Sequence, residues 1–200
     1  LEEKEKKIKF DIPDYYYGRD EEEDSEDDQL ENGLFRTRLF KSDSTGEKIY
    51  VSFYRSGRYN YSKDSSILAD GFKPIYGTDT TRILRYKNSS ILPGGMRVWE
   101  NISSDTGSSR TVRTKFFYRN GVGYFLATQS DTLTSPSDFV NTFFESFTPV
   151  DTVKGVNPFE KKNKLFFQDF LSGDSVLHKR AVTHIQRIEL DSTDLSLLKK

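Results

Sequence analysis

Hydrophobic and polar residues alternate most regularly over residues 111–149, where two alternating runs flank the dipeptide Asn120-Gly121. This dipeptide accepts the positive φ angles of a two-residue hairpin turn, so the pattern predicts two antiparallel strands joined there. The predicted register pairs Phe116 with Phe125, and Phe117 with Tyr124. It divides the side chains into one face with Val112, Phe116, Phe125 and Ala127, and another with Arg113, Lys115, Tyr124 and Thr128. We expect the first face to be core.

A helix is predicted directly after this hairpin. Ser135 as the N-cap, Pro136 in the first helical position and Asp138 three residues after the cap form a helix start signal. Apolar residues then recur at helical spacing, namely Phe139, Val140, Phe143, Phe144 and Phe147. We expect this stripe to pack on the face of the hairpin that carries Phe116 and Phe125.

The preceding residues read as further strands. One begins at Leu34, with Phe35, Thr37 and Leu39 on one side and Arg36 and Arg38 on the other, and the next alternates through Ile49, Val51 and Phe53. Strands are also predicted over residues 82–87 and 96–101, separated by a turn-rich stretch over residues 88–95 that includes Gly94-Gly95. A short helix is predicted within residues 66–77. The predicted fold class is α+β, a twisted antiparallel sheet with packed helices.

After Pro149 the pattern becomes helical. Asn157-Pro158 followed by Glu160 predicts a helix start, with apolar positions at Phe159, Leu165, Phe166, Phe167 and Phe170 and an end at Gly173. Asp174 or Ser175 begins a second helix, and Asp191 or Ser192 a third. The predicted domains are a charged, partly disordered leader over residues 1–33, an α+β domain over 34–150, and a helical extension over 157–200. We expect this extension to be the start of a helical bundle or repeat.

Charge is divided unevenly along the chain. Residues 1–33 contain 14 acidic and 5 basic side chains, a net charge of −9, whereas the remainder carries +8. Residues 10–18 contain three consecutive tyrosines that suit an extended segment lying along a surface. The chain starts without Met and ends in residues typical of a helix beginning, so we expect it to be a piece of a longer protein.

Candidate binding residues gather at one end of the predicted sheet. Arg58 and Tyr59 follow the second strand, and cations beside aromatic rings can stack on bases, sugars or peptide groups. The single tryptophan, Trp99, is a third candidate. The ordinary alternatives are surface tyrosines solvated by arginines, and a tryptophan that fills the core. We predict ligand binding by Arg58, Tyr59 and Trp99.

Several chemistries lack their sequence signals. The chain contains no cysteine, which excludes disulfides and thiolate sites, and its two histidines, His178 and His184, are spaced too far apart to share a metal on one helix. Hydrolase, nucleotide-binding and metalloprotease motifs are also absent. We therefore predict no cofactor, no metal, no nucleic-acid partner, no membrane span and no enzymatic activity. Two carboxylates from distant strands could still form a hydrolase site for glycans or peptides.

The sequence GYFLATQSDTLTSPSDFVNTFFESFTP, residues 123–149, resembles the end of PsbP-like secreted bacterial modules. In these modules a last hairpin leads into a helix that finishes with two aromatics and Ser-Phe. The resemblance implies an antiparallel sheet with packed helices, a non-catalytic accessory or binding role, and an extracytoplasmic location in a Bacteroidota-type envelope. It provides no catalytic residue. The acidic leader and the helical extension depart from the minimal module.

The functional prediction is a protein-interaction or ligand-binding module within a larger cell-envelope protein. Its partners are expected to be other domains of the parent protein and a protein or glycan ligand. Two alternatives stay open at this point. One is the carboxylate-based hydrolase, and the other is a structural spacer between neighbouring domains.

Overall fold

The computed structural model describes residues 33–66, 82–149 and 154–194. Within them six strands form one antiparallel sheet in the order β1-β2-β6-β5-β4-β3. Their bounds are β1 Leu34–Lys41, β2 Lys48–Arg55, β3 Arg82–Ile91, β4 Arg97–Asp105, β5 Arg110–Arg119 and β6 Val122–Asp131. Three helices follow, α1 Asp138–Ser146, α2 Asn163–Phe170 and α3 Ser175–Thr183, with short 3-10 turns at Pro93–Gly95, Ile185–Arg187 and Ser192–Asp194. The predicted α+β class is confirmed.

The β5–β6 hairpin forms as its turn chemistry predicts. Asn120 and Gly121 adopt φ angles of 48° and 78°, the left-handed values that a two-residue hairpin turn needs. The register pairs Phe116 with Phe125 and Phe117 with Tyr124, as predicted. Beyond the hairpin, β2 pairs with β6 and β4 with β5, so the hairpin lies at the centre of the sheet.

Helix α1 packs on the opposite face of the hairpin from the predicted one. Its buried side chains, Val140 and Phe144, share a core cluster with Ile49, Met96, Val98, Phe117 and Leu126. Lys115 donates from Nζ to the Phe144 carbonyl at 2.6 Å, and the Arg113 guanidinium lies 4.6 Å from the centre of the Phe144 ring. These two cations made their face look solvated in the sequence. Lys115 instead bonds a backbone carbonyl in the last turns of α1, and Arg113 lies over the Phe144 ring. The aliphatic parts of both side chains can then cover apolar surface. We call this the helix face, and the face with Phe116 and Phe125 the groove face.

The N-cap of α1 is Ser137, two residues after the predicted Ser135. The Ser137 side chain accepts a hydrogen bond from the Val140 amide. The Ser137 amide donates to Glu47 Oε1 at 3.2 Å, and its hydroxyl also contacts the Glu47 carboxylate. Burial opposes ionisation of Glu47, but the hydrogen bonds from Ser137 and Thr45 outweigh it and lower the pKa of the Glu47 carboxyl. A long-range contact with Glu47, which directly precedes β2, therefore fixes where the helix begins.

Two other predicted boundaries were wrong. Strand β3 continues to Ile91, through residues predicted as a turn, because each of the residues 88–91 pairs with β4. Helix α2 begins at Asn163 rather than at Asn157-Pro158. The Asn157 side chain does accept from the Phe159 amide at 3.1 Å, but Phe159 packs on Tyr118 of the sheet, 6.4 Å between ring centres. That contact holds a turn in place of the helix.

Helices α2 and α3 enclose a second core cluster with the loop after β2. Its buried members are Tyr59, Phe166, Phe167 and Ala181, joined by Leu165, Phe170 and Ile188. Asp174 caps α3 as predicted, by accepting from the amides of Val176 and Leu177. The third predicted helix is a 3-10 turn within the described residues, at Ser192–Asp194.

The C-terminal segment also crosses the tip of the central hairpin. A Cβ on Gly121 would lie 2.4 Å from the Val156 carbonyl oxygen, and one on Gly155 would lie 2.2 Å from the Asn120 carbonyl oxygen. Only glycines allow the two backbones to approach this closely. Most of the predicted leader, including residues 10–18, and most of the predicted helix over residues 66–77 lie outside the described residues.

Candidate functional site

A groove opens on the groove face of the sheet, next to the β1 edge. Its volume is about 440 Å³, and its lining is predominantly apolar. The residues that line it are Gly33, Leu34, Phe35, Ser52, Tyr54, Arg55, Ser56, Asn60, Phe116 and Phe125. They come from β1, β2, the loop after β2 and the central hairpin. A concave apolar site of this size with a few polar groups is typical of ligand pockets.

Aromatic rings form the floor and the mouth of the groove. Phe116 and Phe125 lie across the hairpin with ring centres 6.4 Å apart. Phe35, at the mouth, keeps 69% of its surface exposed. Gly123, opposite Tyr54, makes room for the tyrosine ring, because a Cβ there would lie 2.5 Å from Tyr54 Cε1. An exposed phenylalanine beside an apolar groove is a feature of surfaces that bind partners.

Two tyrosine rings pack together beside the groove. The Tyr54 ring stacks on Tyr118, with ring centres 6.4 Å apart. The Tyr118 hydroxyl accepts from the Gly121 amide at 3.1 Å. Burial raises the pKa of Tyr54 well above its ordinary value, with the neighbouring Tyr118 adding to the shift. Tyr54 is therefore neutral at physiological pH.

Arg58 and Tyr59, two of the predicted binding residues, converge on one carboxylate. Arg58 donates from Nε and Nη2 to the two oxygens of Asp169, at 2.7 and 2.9 Å. The Tyr59 hydroxyl donates to Asp169 Oδ2 at 2.7 Å. Asp169 lies on α2 and only 2% of its surface is exposed. Within the fold, these contacts tie α2 to the loop after β2.

The electrostatics of this cluster favour its charged form. Burial opposes ionisation of Asp169, but the hydrogen bonds from Arg58 and Tyr59 outweigh it and lower the pKa of the Asp169 carboxyl. The hydrogen bonds to Asp169 raise the pKa of Arg58. Burial, together with the bond to Asp169, raises the pKa of Tyr59. A bidentate Arg–carboxylate pair with a third donor satisfies the oxygens that burial removes from water.

Trp99, the third predicted binding residue, lies apart from this cluster. It is buried on the groove face of β4 and stacks on Phe116, with ring centres 5.6 Å apart. Phe116 is also part of the groove floor, so Trp99 packs against the side of that floor. Ligand binding by Arg58, Tyr59 and Trp99 stays a prediction.

The histidines occupy separate positions. His178 Nδ1 bonds the Phe170 carbonyl at 2.6 Å, and His184 Nδ1 bonds the Arg180 carbonyl at 3.0 Å. In the part of the chain that the structure describes, no group of three or more His, Asp or Glu side chains could hold a metal ion. The described helices include none that is long and apolar enough to cross a membrane.

Sequence reasoning missed the groove and Asp169. The alternation of Phe35 and Tyr54 on their strands was readable, and the register that places them side by side follows from the β1–β2 turn. The sequence did not show which face of the sheet α1 covers and which face it leaves open. Asp169 gave no signal, because it is a single acid on an amphipathic helix and its partners Tyr59 and Arg58 lie 110 and 111 positions earlier.

Comparison with known proteins gives no assignment: no protein-family model matches this chain, and no curated protein sequence is significantly similar to it.

Proposed function

We propose that this chain is a non-catalytic protein-interaction module, and that the groove receives an apolar side chain of a protein partner. The observation that carries the proposal is the open, predominantly apolar groove of about 440 Å³ with Phe35 exposed at its mouth. Burying an exposed phenylalanine and an apolar groove wall supplies favourable free energy of association. The size suits one aromatic or branched aliphatic side chain with its neighbouring backbone.

The polar groups of the groove favour a protein side chain over a glycan. Ser52 Oγ already bonds Thr37 Oγ1 at 2.9 Å, and Asn60 Oδ1 accepts from Arg187 at 3.4 Å. A sugar would have to break these bonds to satisfy its own hydroxyl groups, whereas an apolar side chain leaves them in place.

The charges around the groove support binding rather than hydrolysis. Arg55 contributes to the lining, and its buried Nε has no hydrogen-bond partner among the described residues. The described lining residues include no Asp, Glu or His. A carboxylate-based hydrolase needs two such acids facing its substrate. The cation instead favours a partner that carries an acidic residue beside its apolar one.

The wider setting is part of the same proposal. Nearly all of β6 and the whole of α1 lie within residues 123–149, on which the PsbP-like resemblance rests, and this resemblance favours a related module with an accessory role. On this proposal the chain is part of an extracytoplasmic protein. Fractionation of cells that express the full-length protein, with detection in the envelope or in the cytoplasm, tests this location independently of the groove.

The groove is tested with two small probes on the full chain. N-acetylphenylalanine amide represents an apolar side chain, and methyl β-glucoside represents a glycan. In a two-dimensional amide NMR titration we expect the first probe to shift the resonances of Phe35, Ser52 and Tyr54 with a millimolar dissociation constant. Such weak binding is usual for a ligand of this size.

Two matched alanine variants provide the control. Phe35→Ala removes the exposed ring at the mouth and should weaken binding of the apolar probe at least about fivefold. Leu133→Ala removes the most exposed large hydrophobic side chain of the described residues, 85% exposed and outside the groove lining, and should leave binding unchanged. Preferential binding of the glucoside would favour a glycan module. Absence of binding by both probes would favour the structural spacer.

A further inference from the structure

The second feature that points to a partner is the edge strand β3. It pairs with β4 on one side and has no strand neighbour on its other side among the described residues. Every residue from Ile83 to Leu92 is exposed, in contrast to the mixed burial of the other edge strand, β1. The large hydrophobic residues exposed along it are Ile83, Leu84, Tyr86, Ile91 and Leu92. A long exposed edge with apolar side chains is a template for another strand.

The charges of β3 determine which strand it can accept. The strand contains Arg82, Arg85 and Lys87 and no acidic residue. Arg85 sits at a register irregularity and donates to Ser104 at 2.7 Å. A bulge and cations are the usual protection of an edge against its own copies. An antiparallel β3–β3 pairing would bring the cations of two copies together, and like charges directly opposite are destabilising.

We infer that β3 is a docking edge for an extended acidic peptide segment of a partner protein, which adds to the sheet as a seventh strand. The cations that repel a second copy attract acidic side chains placed across from them. Main-chain hydrogen bonds supply most of the affinity in this mode, and alternate side chains supply the selectivity.

The register defines the pattern that the peptide should have. Leu84, Lys87 and Ile91 pair with Ser103, Asn101 and Arg97 of β4, which places them on the groove face. Tyr86 pairs with Ile102 on the helix face. A matching segment therefore has acidic residues near its centre, next to Lys87, and β-branched or aromatic residues towards both ends. About eight to ten residues cover the strand, at about 3.3 Å per residue.

This edge is separate from the groove. The groove involves β1, β2 and the central hairpin, whereas β3 is at the far side of the sheet. Binding at one position therefore leaves the other open. The two proposals can succeed or fail independently.

The test uses a fluorescein-labelled ten-residue peptide of alternating threonine and valine, in which two central threonines are replaced by glutamate. A second peptide has lysine at those two positions. The glutamate peptide is also made in two N-methylated versions. Each version carries N-methyl groups on alternate backbone nitrogens and so removes the N–H donors along one edge of the extended peptide. Binding to the full chain is followed by fluorescence anisotropy at low salt and at 0.3 M salt.

The expected result has three parts. The glutamate peptide binds at least about tenfold more tightly than the lysine peptide, and its advantage falls at high salt. One version of the N-methylated peptide loses binding, because it cannot donate to the β3 edge, and the other retains it. Amide NMR signals of residues 83–91 shift on binding.

Matched charge reversals on the two edges locate the site. Lys87→Glu should weaken the glutamate peptide at least about fivefold, whereas Lys41→Glu on β1 should leave its affinity within about twofold. Both lysines are on the sheet, and the two changes alter the net charge equally. Equal effects of the two variants, binding insensitive to N-methylation at either edge, or no binding of the glutamate peptide would overturn the proposal. So would concentration-dependent dimerisation through β3 in sedimentation experiments.

Discussion

Helix α1 and the C-terminal helices are attached to the rest of the chain by different kinds of contact. Helix α1 buries Val140 and Phe144 in a cluster of seven apolar residues on the helix face. Helix α2 also buries phenylalanines, but its link to the loop after β2 includes the buried carboxylate of Asp169, held by Arg58 and Tyr59. Apolar packing tolerates many arrangements of similar volume, whereas a buried carboxylate needs its specific partners. The two attachments should therefore respond differently to substitution and to pH.

The largest expected effect is loss of the apolar attachment. Phe144→Ala leaves a cavity under α1, and we expect it to lower the free energy of unfolding by about 3–5 kcal/mol, measured by urea unfolding with circular dichroism. The matched substitution Phe35→Ala removes the same ring from an exposed position and should cost under about 1 kcal/mol. Similar losses in both variants would contradict the assignment of the core to the helix face.

The next effect is loss of the buried carboxylate. Asp169→Asn keeps the shape but removes the charge that Arg58 and Tyr59 bind, and we expect a loss of about 2 kcal/mol. This loss of stability is small for a buried ion pair, because 31% of the Arg58 side chain is exposed and the solvent screens the interaction. Asp138→Asn at the exposed start of α1 is the control and should cost about 0.5 kcal/mol or less.

The location of the damage sharpens the comparison. In Asp169→Asn, faster cleavage by trypsin is expected in residues 154–194 before the sheet is cut, since the lost contact holds α2. In Phe144→Ala, the sheet and α1 should become protease-sensitive together. Cleavage of the sheet first in Asp169→Asn would show that the carboxylate supports the whole fold rather than the C-terminal attachment.

The same difference explains what the sequence could predict. The hairpin, the α1 stripe and the Asp174 cap depend on neighbours within a few positions, and periodicity and turn residues reported them correctly. The face under α1 was predicted wrongly, because Arg113 and Lys115 looked like solvated cations. In the structure they contact Phe144.

Long-range partners account for the other misses. The start of α1 depends on Glu47, 90 positions before Ser137, and the extra turn before α2 depends on Tyr118. The candidate residues Arg58 and Tyr59 both contact Asp169, a meeting point that only the fold reveals, and their role in ligand binding stays a prediction. The groove is formed by residues of four strands, so no local pattern could report it.

The pH dependence of the Asp169 contact should be smaller than the effect of its substitution. The pKa of Asp169 is lowered in the folded chain, so its carboxylate contributes stability above the unfolded value near 4, and this contribution is lost as the pH falls through the folded value. The difference in unfolding free energy between the natural chain and Asp169→Asn should be constant from about pH 6 to 8. It should shrink below about pH 4. A difference that is unchanged at pH 2.5 would show that the charge of Asp169 is not what stabilises the contact.

The smallest effect concerns the polar contact within the apolar attachment. Ser137 caps α1 and bonds Glu47, so Ser137→Ala should cost about 1 kcal/mol, the usual value for an N-cap. Ser135→Ala is the matched control, because Ser135 is exposed and precedes the helix by three positions, and it should change the free energy of unfolding by under about 0.3 kcal/mol. The reverse result would show that Ser135, as the sequence predicted, is the N-cap.

In a double-mutant cycle, Glu47→Gln combined with Ser137→Ala should cost less than the sum of the single changes, because each removes the other's partner. That coupling is expected to be smaller than the loss in Asp169→Asn, since apolar burial already holds α1 in place, whereas α2 depends on its carboxylate.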